Sequence, residues 1–293
     1  MITASHVTKK FRRVVAVDDV SFNLEAGGAL ALWGSNGAGK TTLIRCLLGV
    51  FRFSGAISIG GINVRTHGRK ARALVGYVPQ ELSFHDDTRL GSAIGFFATL
   101  RGVGLDRAAD ALGKVNLSGH ERKRVRDLSG GMKQRLALAI ALVSDPLVIV
   151  LDEPTSNLDA TGRAEVIDAL RGLKASGKTI VFASHRSDEV ASLADRVLVM
   201  ETGRAVAERK PREMWGDRPR SRRMRLRITN DAESLAYRAL RSAGVDAHLN
   251  GNGLCVTTAV DGKAAPFAVL AKASIEVKDF EMLDHHDATE AAS

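Results

Sequence analysis

The chain has 293 residues, 45% of them hydrophobic and only 5% aromatic, a length and composition that suit an aliphatic α/β core with a smaller second domain better than a β-sandwich. No apolar run reaches the roughly 18 to 20 residues needed to cross a bilayer, and MITASHVTKKFRRVV lacks the apolar region of a signal peptide, so a cytoplasmic protein is expected. The formal charge is +9, and much of it falls in one run: Arg209, Lys210, Arg212, Arg218, Arg220, Arg222, Arg223, Arg225 and Arg227, against Glu213 and Asp217.

Residues 1 to about 27 alternate apolar and polar side chains around VVAVDDVSFNLEAG, which predicts antiparallel strands. GALALW then runs into a glycine-rich turn and KTTLIRCLLGV, a strand, loop and helix. The short aliphatic runs GAISIG, ALVGYVP, LVIVLDEP and TIVFAS read as strands buried on both faces of a mostly parallel sheet. Between about residues 84 and 145 the pattern turns helical, as in LGSAIGFFATLRG and DRAADALGKV, which predicts an inserted helical subdomain. RVLVMETGRAVAE reads as a hairpin turning at Gly203 and closing a first domain over 1–208. The basic run over 209–224, with Pro211 and Pro219, reads as a linker.

Residues 225–284 give strand RLRIT, helix DAESLAYRALRSAG, strands DAHLNG and GLCVTTAV, helix GKAAPFAVLAKAS and strand IEVKDFEML. That βαββαβ order predicts a small split βαβ domain, with Pro266 tolerated early in its helix. A tail over 285–293 follows, and DHHD (Asp284 to Asp287) reads as part of an unstructured end rather than a metal site. Cys46 and Cys255, far apart and without metal-type spacing, read as two buried reduced thiols.

The chemistry concentrates in two places. GSNGAGKT, Gly34, Ser35, Asn36, Gly37, Ala38, Gly39, Lys40 and Thr41 and then Thr42, fits the phosphate-loop pattern. Its glycines let backbone N–H groups converge on phosphate oxygens at the positive end of a helix. Lys40 is placed to reach the β- and γ-phosphates, and the Thr41 hydroxyl to ligate Mg²⁺. LVIVLDEP places Asp152 and Glu153 at the carboxyl end of a central strand, the edge at which open α/β sheets bind ligands. Asp152 would hold Mg²⁺, and Glu153 would polarise an attacking water. A second anion seat, LSGGMKQR, opens a helix with Ser129, Gly130 and Gly131, away from the phosphate loop in sequence.

These motifs, with Gln80 in VGYVPQE, LDEPTSNLD, and FASH with His185, stand in the order of the ATP-binding subunit of ABC transporters, which residues 1–208 resemble. The resemblance implies a phosphate-loop ATPase fold of the ABC type, with a mixed sheet, N-terminal antiparallel strands and an inserted helical subdomain, beside the small α+β C-terminal domain. It implies ATP and Mg²⁺, with Gln80 touching the metal or its water, His185 near the γ-phosphate and Asp159 reaching toward a partner subunit. Phe11 in KKFRRV takes the adenine-stacking position, usually a tyrosine in this family. The resemblance further implies that two ATP molecules are sandwiched in a head-to-tail dimer, because the signature of one subunit faces the phosphate loop of the other.

Transport through a separate transmembrane permease, with the chain peripheral on the inner face of the membrane, is the leading expectation. Met132 and Lys133, where importers commonly show glutamines, resemble the exporter-type (ABC-2) group. A soluble mechanical ATPase acting on nucleic acid or ribosomes is the alternative, since clustered arginines bind phosphate backbones; neither the tandem ATPase domains nor the long coiled coils of those classes appear. Anionic lipid headgroups are a further possible partner of the basic run. The C-terminal domain reads as a dimerisation or docking module, with ligand sensing as the alternative.

Overall fold

Alternation along the N-terminal segment places Val7, Val17, Val20 and Phe22 on one buried face. This pairs β1 (Ile2–Phe11) with β2 (Val14–Leu24) as an antiparallel hairpin, Ile2 opposite Leu24 and Phe11 opposite Val14. The computed structural model describes residues 1–215, 221–228, 232–250, 253–259 and 264–283. They fall into two compact units, Met1–Gly216 and Asp217–Ser293.

In the first unit, β3 (Ala29–Trp33) runs through the glycine-rich loop into α1 (Lys40–Leu47). β4 (Ser54–Ile59), β5 (Ile62–Asn63), α2 (Gly68–Ala73) and β6 (Val75–Val78) follow. The helical insertion comprises α3 (Leu90–Arg101), α4 (Leu105–Lys114) and α5 (Gly130–Leu142). The chain returns through β7 (Val148–Asp152), α6 (Ala160–Ala175), β8 (Thr179–Ser184), α7 (Ser187–Leu193), β9 (Arg196–Glu201), β10 (Arg204–Arg209) and α8 (Pro211–Trp215).

The central sheet has the order β10-β9-β3-β8-β7-β6 and is parallel except for the β9–β10 hairpin. Its period-2 geometry divides two cores. Ala29, Ala31, Ile149 and Leu151 face the core shared with α3 to α6, while Leu30, Leu32, Val148 and Val150 face α1 and the N-terminal sheet. Burying each of these larger aliphatic side chains contributes about 2 kcal/mol. The run GAISIG departs from its expected place. As β4 it pairs antiparallel with β1, Ile2 opposite Ile59, in a second sheet of order β2-β1-β4-β5. Of its residues only Ile57 and Ile59 are buried: one face needs covering, as in an antiparallel layer, not both.

The second unit holds β11 (Ser221–Ile228), α9 (Glu233–Ser242), β12 (Asp246–Asn250), β13 (Gly253–Ala259), α10 (Ala265–Lys272) and β14 (Val277–Leu283). Its sheet order, β12-β13-β11-β14, is that of a split βαβ domain. Pro266 stands in the first turn of α10, where no backbone donor is missed. The basic run is not a linker throughout. Pro211–Trp215 is a short helix, and β11 begins at Ser221, inside the span expected to be a connection. Met224, Leu226 and Ile228 supply the buried face of this central strand, which starts four residues before the expected RLRIT. Arg225 ion-pairs with Glu281 across the strand pair at 3.2 Å.

Both cysteines are reduced thiols. Cys46 is buried, which pushes its thiol up to about 11, whereas Cys255 is only half-buried. Asp284 to Asp287 and the rest of the tail lie outside the described residues, as do Arg218 and Arg220.

Candidate active site

The phosphate loop is bent by glycine where no other residue fits. Gly39 adopts φ 100°, and a Cβ there would lie 2.3 Å from the Ala16 carbonyl oxygen. α1 starts directly behind it, so its first N–H groups open onto the loop. The Lys40 ammonium donates to the carbonyls of Gly34 (2.7 Å) and Ser35 (3.0 Å), bridging the base of the loop. It is also 3.6 Å from Glu153 Oε1, and both side chains are buried.

The face that β7 presents to α1 carries Val148, Val150 and then Asp152, so the strand's own periodicity aims Asp152 at Thr41. Thr41 Oγ1 donates to Asp152 Oδ1 at 3.1 Å. Asp152 is 1% exposed, and that burial holds its carboxyl above the usual carboxylate range. The neighbouring Glu153 charge adds to the rise, while Thr41, Arg45 and Lys40 oppose it.

At Glu153 the chain leaves the strand in a left-handed turn, φ 48°. Its N–H donates to the Ala183 carbonyl (3.1 Å), and its own carbonyl accepts from Ser156 N–H (3.3 Å) and Oγ (3.1 Å). The side chain then sits between Lys40 and His185, whose Nδ1 is 3.3 Å from Glu153 Oε2. A cavity of about 330 Å³ is lined by Ala16, Asn36 to Thr42, Gln80 and Glu153. Gly34 and Ser35 hold Lys40 from behind. Phe11 does not line this cavity. Its ring is 40% exposed and meets Phe51 edge-on, 5.1 Å between centroids, with the Lys9 ammonium 4.6 Å above it.

The Ser129 turn lines a cavity of its own, about 470 Å³, that shares no lining residue with the first. Ser129 caps α5, its Oγ accepting from Met132 N–H at 3.2 Å. Asp159 caps α6 in the same way, accepting from Gly162 N–H at 2.8 Å. The two caps face one hollow, together with Gly130, Gly131, Asn157 and Thr161. Gly131 and Gly162 let the helices approach so closely that a Cβ on Gly131 would lie 2.9 Å from Gly162 Cα. Arg135, one helical turn on, donates to the carbonyls of Val115 (3.2 Å) and Asn116 (3.0 Å) and pairs with Glu165 at 3.1 Å.

Sequence reasoning missed Ala16, which lines the first cavity through the β1–β2 hairpin, and Asn157 and Thr161 in the second. Ala16 carries no chemical signal; only the pairing of two distant segments brings it there. It also missed Glu189, a buried acid bonded to Thr155 and Ser184, whose pattern in sequence, SDEV, is that of an ordinary first helical turn.

The described residues hold no helix long and apolar enough to cross a membrane. Residues 17–156 match the ABC transporter family model. The chain is 42% identical over 212 residues to a protein of Burkholderia lata named Nod factor export ATP-binding protein I, covering 70% of this chain and 69% of that one. A protein of that name from Neorhizobium galegae is 39% identical over 216 residues, covering 72% of this chain and 62% of that one. Among solved structures, cbiO1 of Clostridium perfringens, described as part of the ABC transporter complex cbiONQ, superposes with a TM-score of 0.68 at 28% identity, covering 74% of this chain and 90% of that one. A dimeric ATP-binding cassette bound to ADP and Pi shares the fold, with a TM-score of 0.65 at 23% identity over 72% of this chain and 99% of that one. With a phosphate-loop motif and an acidic strand end brought together, the chain belongs to the ABC transporter family as one of its ATP-binding, ATP-hydrolysing subunits.

Proposed function

We propose that two copies of this chain close head to tail around two ATP molecules, and that closure drives a separate transmembrane permease in export. The observation that carries this reading is the pair of separate cavities on one chain, one at the phosphate loop and one at the Ser129 turn. Two copies related by a two-fold axis put each Ser129-Gly130-Gly131 turn opposite the other's phosphate loop. Asp159, which shares the signature's hollow, then faces the same junction.

Within each composite site the residues divide the work. Backbone N–H groups from Asn36 to Thr42 bind phosphate oxygens, and Lys40 turns from its carbonyl partners to the β- and γ-phosphates. Glu153, held between Lys40 and His185, takes a proton from the attacking water. His185, its side chain 47% exposed beside Glu153, would donate to the γ-phosphate. Phe11 offers a half-exposed ring face to adenine.

Thr41, Asp152 and Gln80 are an all-oxygen donor set of the kind Mg²⁺ prefers, and the buried Asp152 carboxyl has Thr41 as its hydrogen-bond donor. These three residues would hold the ion, which supplies charge neutralisation at the phosphate oxygens.

Export is supported by the names of the relatives, Nod factor export ATP-binding proteins. A permease partner is supported by Phe96, Leu100 and Leu105, exposed large apolar side chains on α3 and α4 of the helical insertion. Such a subunit works peripherally on the inner face of the membrane. The test is size-exclusion chromatography of Glu153→Gln at saturating Mg-ATP, where the trapped dimer is expected; a monomer under those conditions removes the sandwich.

A further inference from the structure

Glu189 is 3% exposed, on the inward face of α7 beside Val190 and Leu193. Burying a carboxyl is costly unless hydrogen bonds compensate it. Its Oε2 accepts from two hydroxyls, Ser184 Oγ at 2.6 Å and Thr155 Oγ1 at 3.2 Å. Its Oε1 is buried with no partner among the described residues. Burial pushes the carboxyl up to about 7, and the two hydroxyl bonds pull against that rise.

The two donors come from the two strand ends that carry the candidate chemistry. Ser184 is the last residue of β8 and immediately precedes His185; Thr155 follows Glu153 by two positions. β7 and β8 are parallel neighbours, Asp152 opposite Ala183, so a single carboxyl spans the gap just beyond the last pairing. The same atoms extend the hold. Ser184 Oγ also accepts from Arg186 N–H at 3.0 Å, fixing the chain on the far side of His185. Glu153 itself keeps a left-handed φ of 48°, a conformation that persists only where its surroundings impose it. Glu189 does not line the nucleotide cavity, so it acts on the reaction through these neighbours alone.

We infer that Glu189 is a positioning residue for ATP hydrolysis: by accepting from Thr155 and Ser184 at once, it fixes Glu153 and His185 relative to each other. The clamp rests on the roles proposed above for Glu153 and His185. It predicts that loosening Glu189 slows the chemical step without weakening the hold on ATP, since the phosphate loop is anchored elsewhere, through Lys40 and Gly39.

The experiment measures kcat and, separately, the affinity for a fluorescent ATP analogue in the full chain. Glu189→Leu removes the acceptor at similar size; its kcat is expected to fall at least tenfold while affinity changes less than twofold. Glu189→Gln keeps one carbonyl oxygen as acceptor and is expected to recover most of that loss. Thr155→Val retains the carboxyl and removes one tie, so a several-fold fall in kcat is expected even if Glu189→Leu does not fold. Wild-type kcat in Glu189→Leu or Thr155→Val overturns the clamp, as does an equal loss in the Leu and Gln variants or a loss of affinity that matches the loss of kcat. Glu153→Gln serves as the control. If it retains turnover, the assignment of Glu153 fails and takes the clamp with it; if it alone loses turnover, only the clamp fails.

Discussion

Glu153 Oε2 stands 3.3 Å from His185 Nδ1, joining the ends of two strands that are distant in sequence and adjacent in the sheet. A carboxylate held there, with Lys40 on its other oxygen, is oriented before any nucleotide arrives. Replacing it by an amide keeps the shape and removes the proton acceptor. Glu153→Gln is therefore expected to lower kcat at least 100-fold, the range of a general base, while Kd for ATP stays within a few-fold. A turnover assay beside equilibrium nucleotide binding checks this, and substantial residual kcat would reassign the base.

The glycines of the helix pair α5–α6 make opposite predictions. Gly131→Ala forces a methyl group to 2.9 Å from Gly162 Cα, backbone that cannot swing aside. The helices must part, at a cost of about 1 to 3 kcal/mol, and the Ser129 and Asp159 caps move with them. Gly172, also in α6, has nothing within 4 Å of the position its Cβ would take. Gly172→Ala is expected to stabilise the first unit by about 0.5 to 1 kcal/mol through the better helix propensity of alanine. Urea titrations of both variants read the sign directly.

Stability should also report the Glu189 carboxyl. Its folded value of about 7 lies above the value of 4.5 for a free glutamate, so the folded chain binds more protons between those limits. The contribution is fully present below about pH 4.5 and is lost as pH rises through 7. Asp152, also raised by burial, tilts the curve the same way, so the difference between wild type and Glu189→Gln isolates the one group. Wild type should lose about 2 to 3 kcal/mol relative to that variant between pH 5 and pH 7.5. Parallel unfolding curves across that range would show that Glu189 titrates normally.

The parts that the sequence made legible are those where backbone geometry and chemistry demand the same residues. The loop from Gly34 to Thr41 needs glycine for its turn and Lys-Thr for its ligand. Asp152 follows from a strand whose alternate residues already face α1. Where one signal covers another, the reading failed. Arg222 and Arg223 drew Ser221 to Met224 into the expected linker, although RLRIT read as a strand, and a helical first turn hid Glu189. GAISIG falls in the other sheet because a short run of aliphatic and small residues does not say how many faces will be covered. Ala16 entered the site only through the tertiary pairing of the hairpin with Gly203 and Gly39.

The separation of the two anion seats makes a prediction about mixtures. In a head-to-tail pair, each site takes its phosphate loop from one copy and its Ser129 turn from the other. Lys40→Ala disables every phosphate loop of a homodimer, and Ser129→Arg fills every signature hollow. Each variant alone is expected to be inactive. In a mixed pair both lesions meet in one site, and the other site is assembled from an intact loop and an intact signature. An equal mixture should recover roughly a quarter of wild-type turnover, since about half the pairs are mixed and each holds one working site. A mixture as inactive as its parents, with mixed pairs demonstrated by differential tagging, would mean that two working sites are required or that the seats never meet. Covalent cross-linking from Ser129→Cys to Ser35→Cys across the pair separates those two outcomes, because only chains that meet can form the bond.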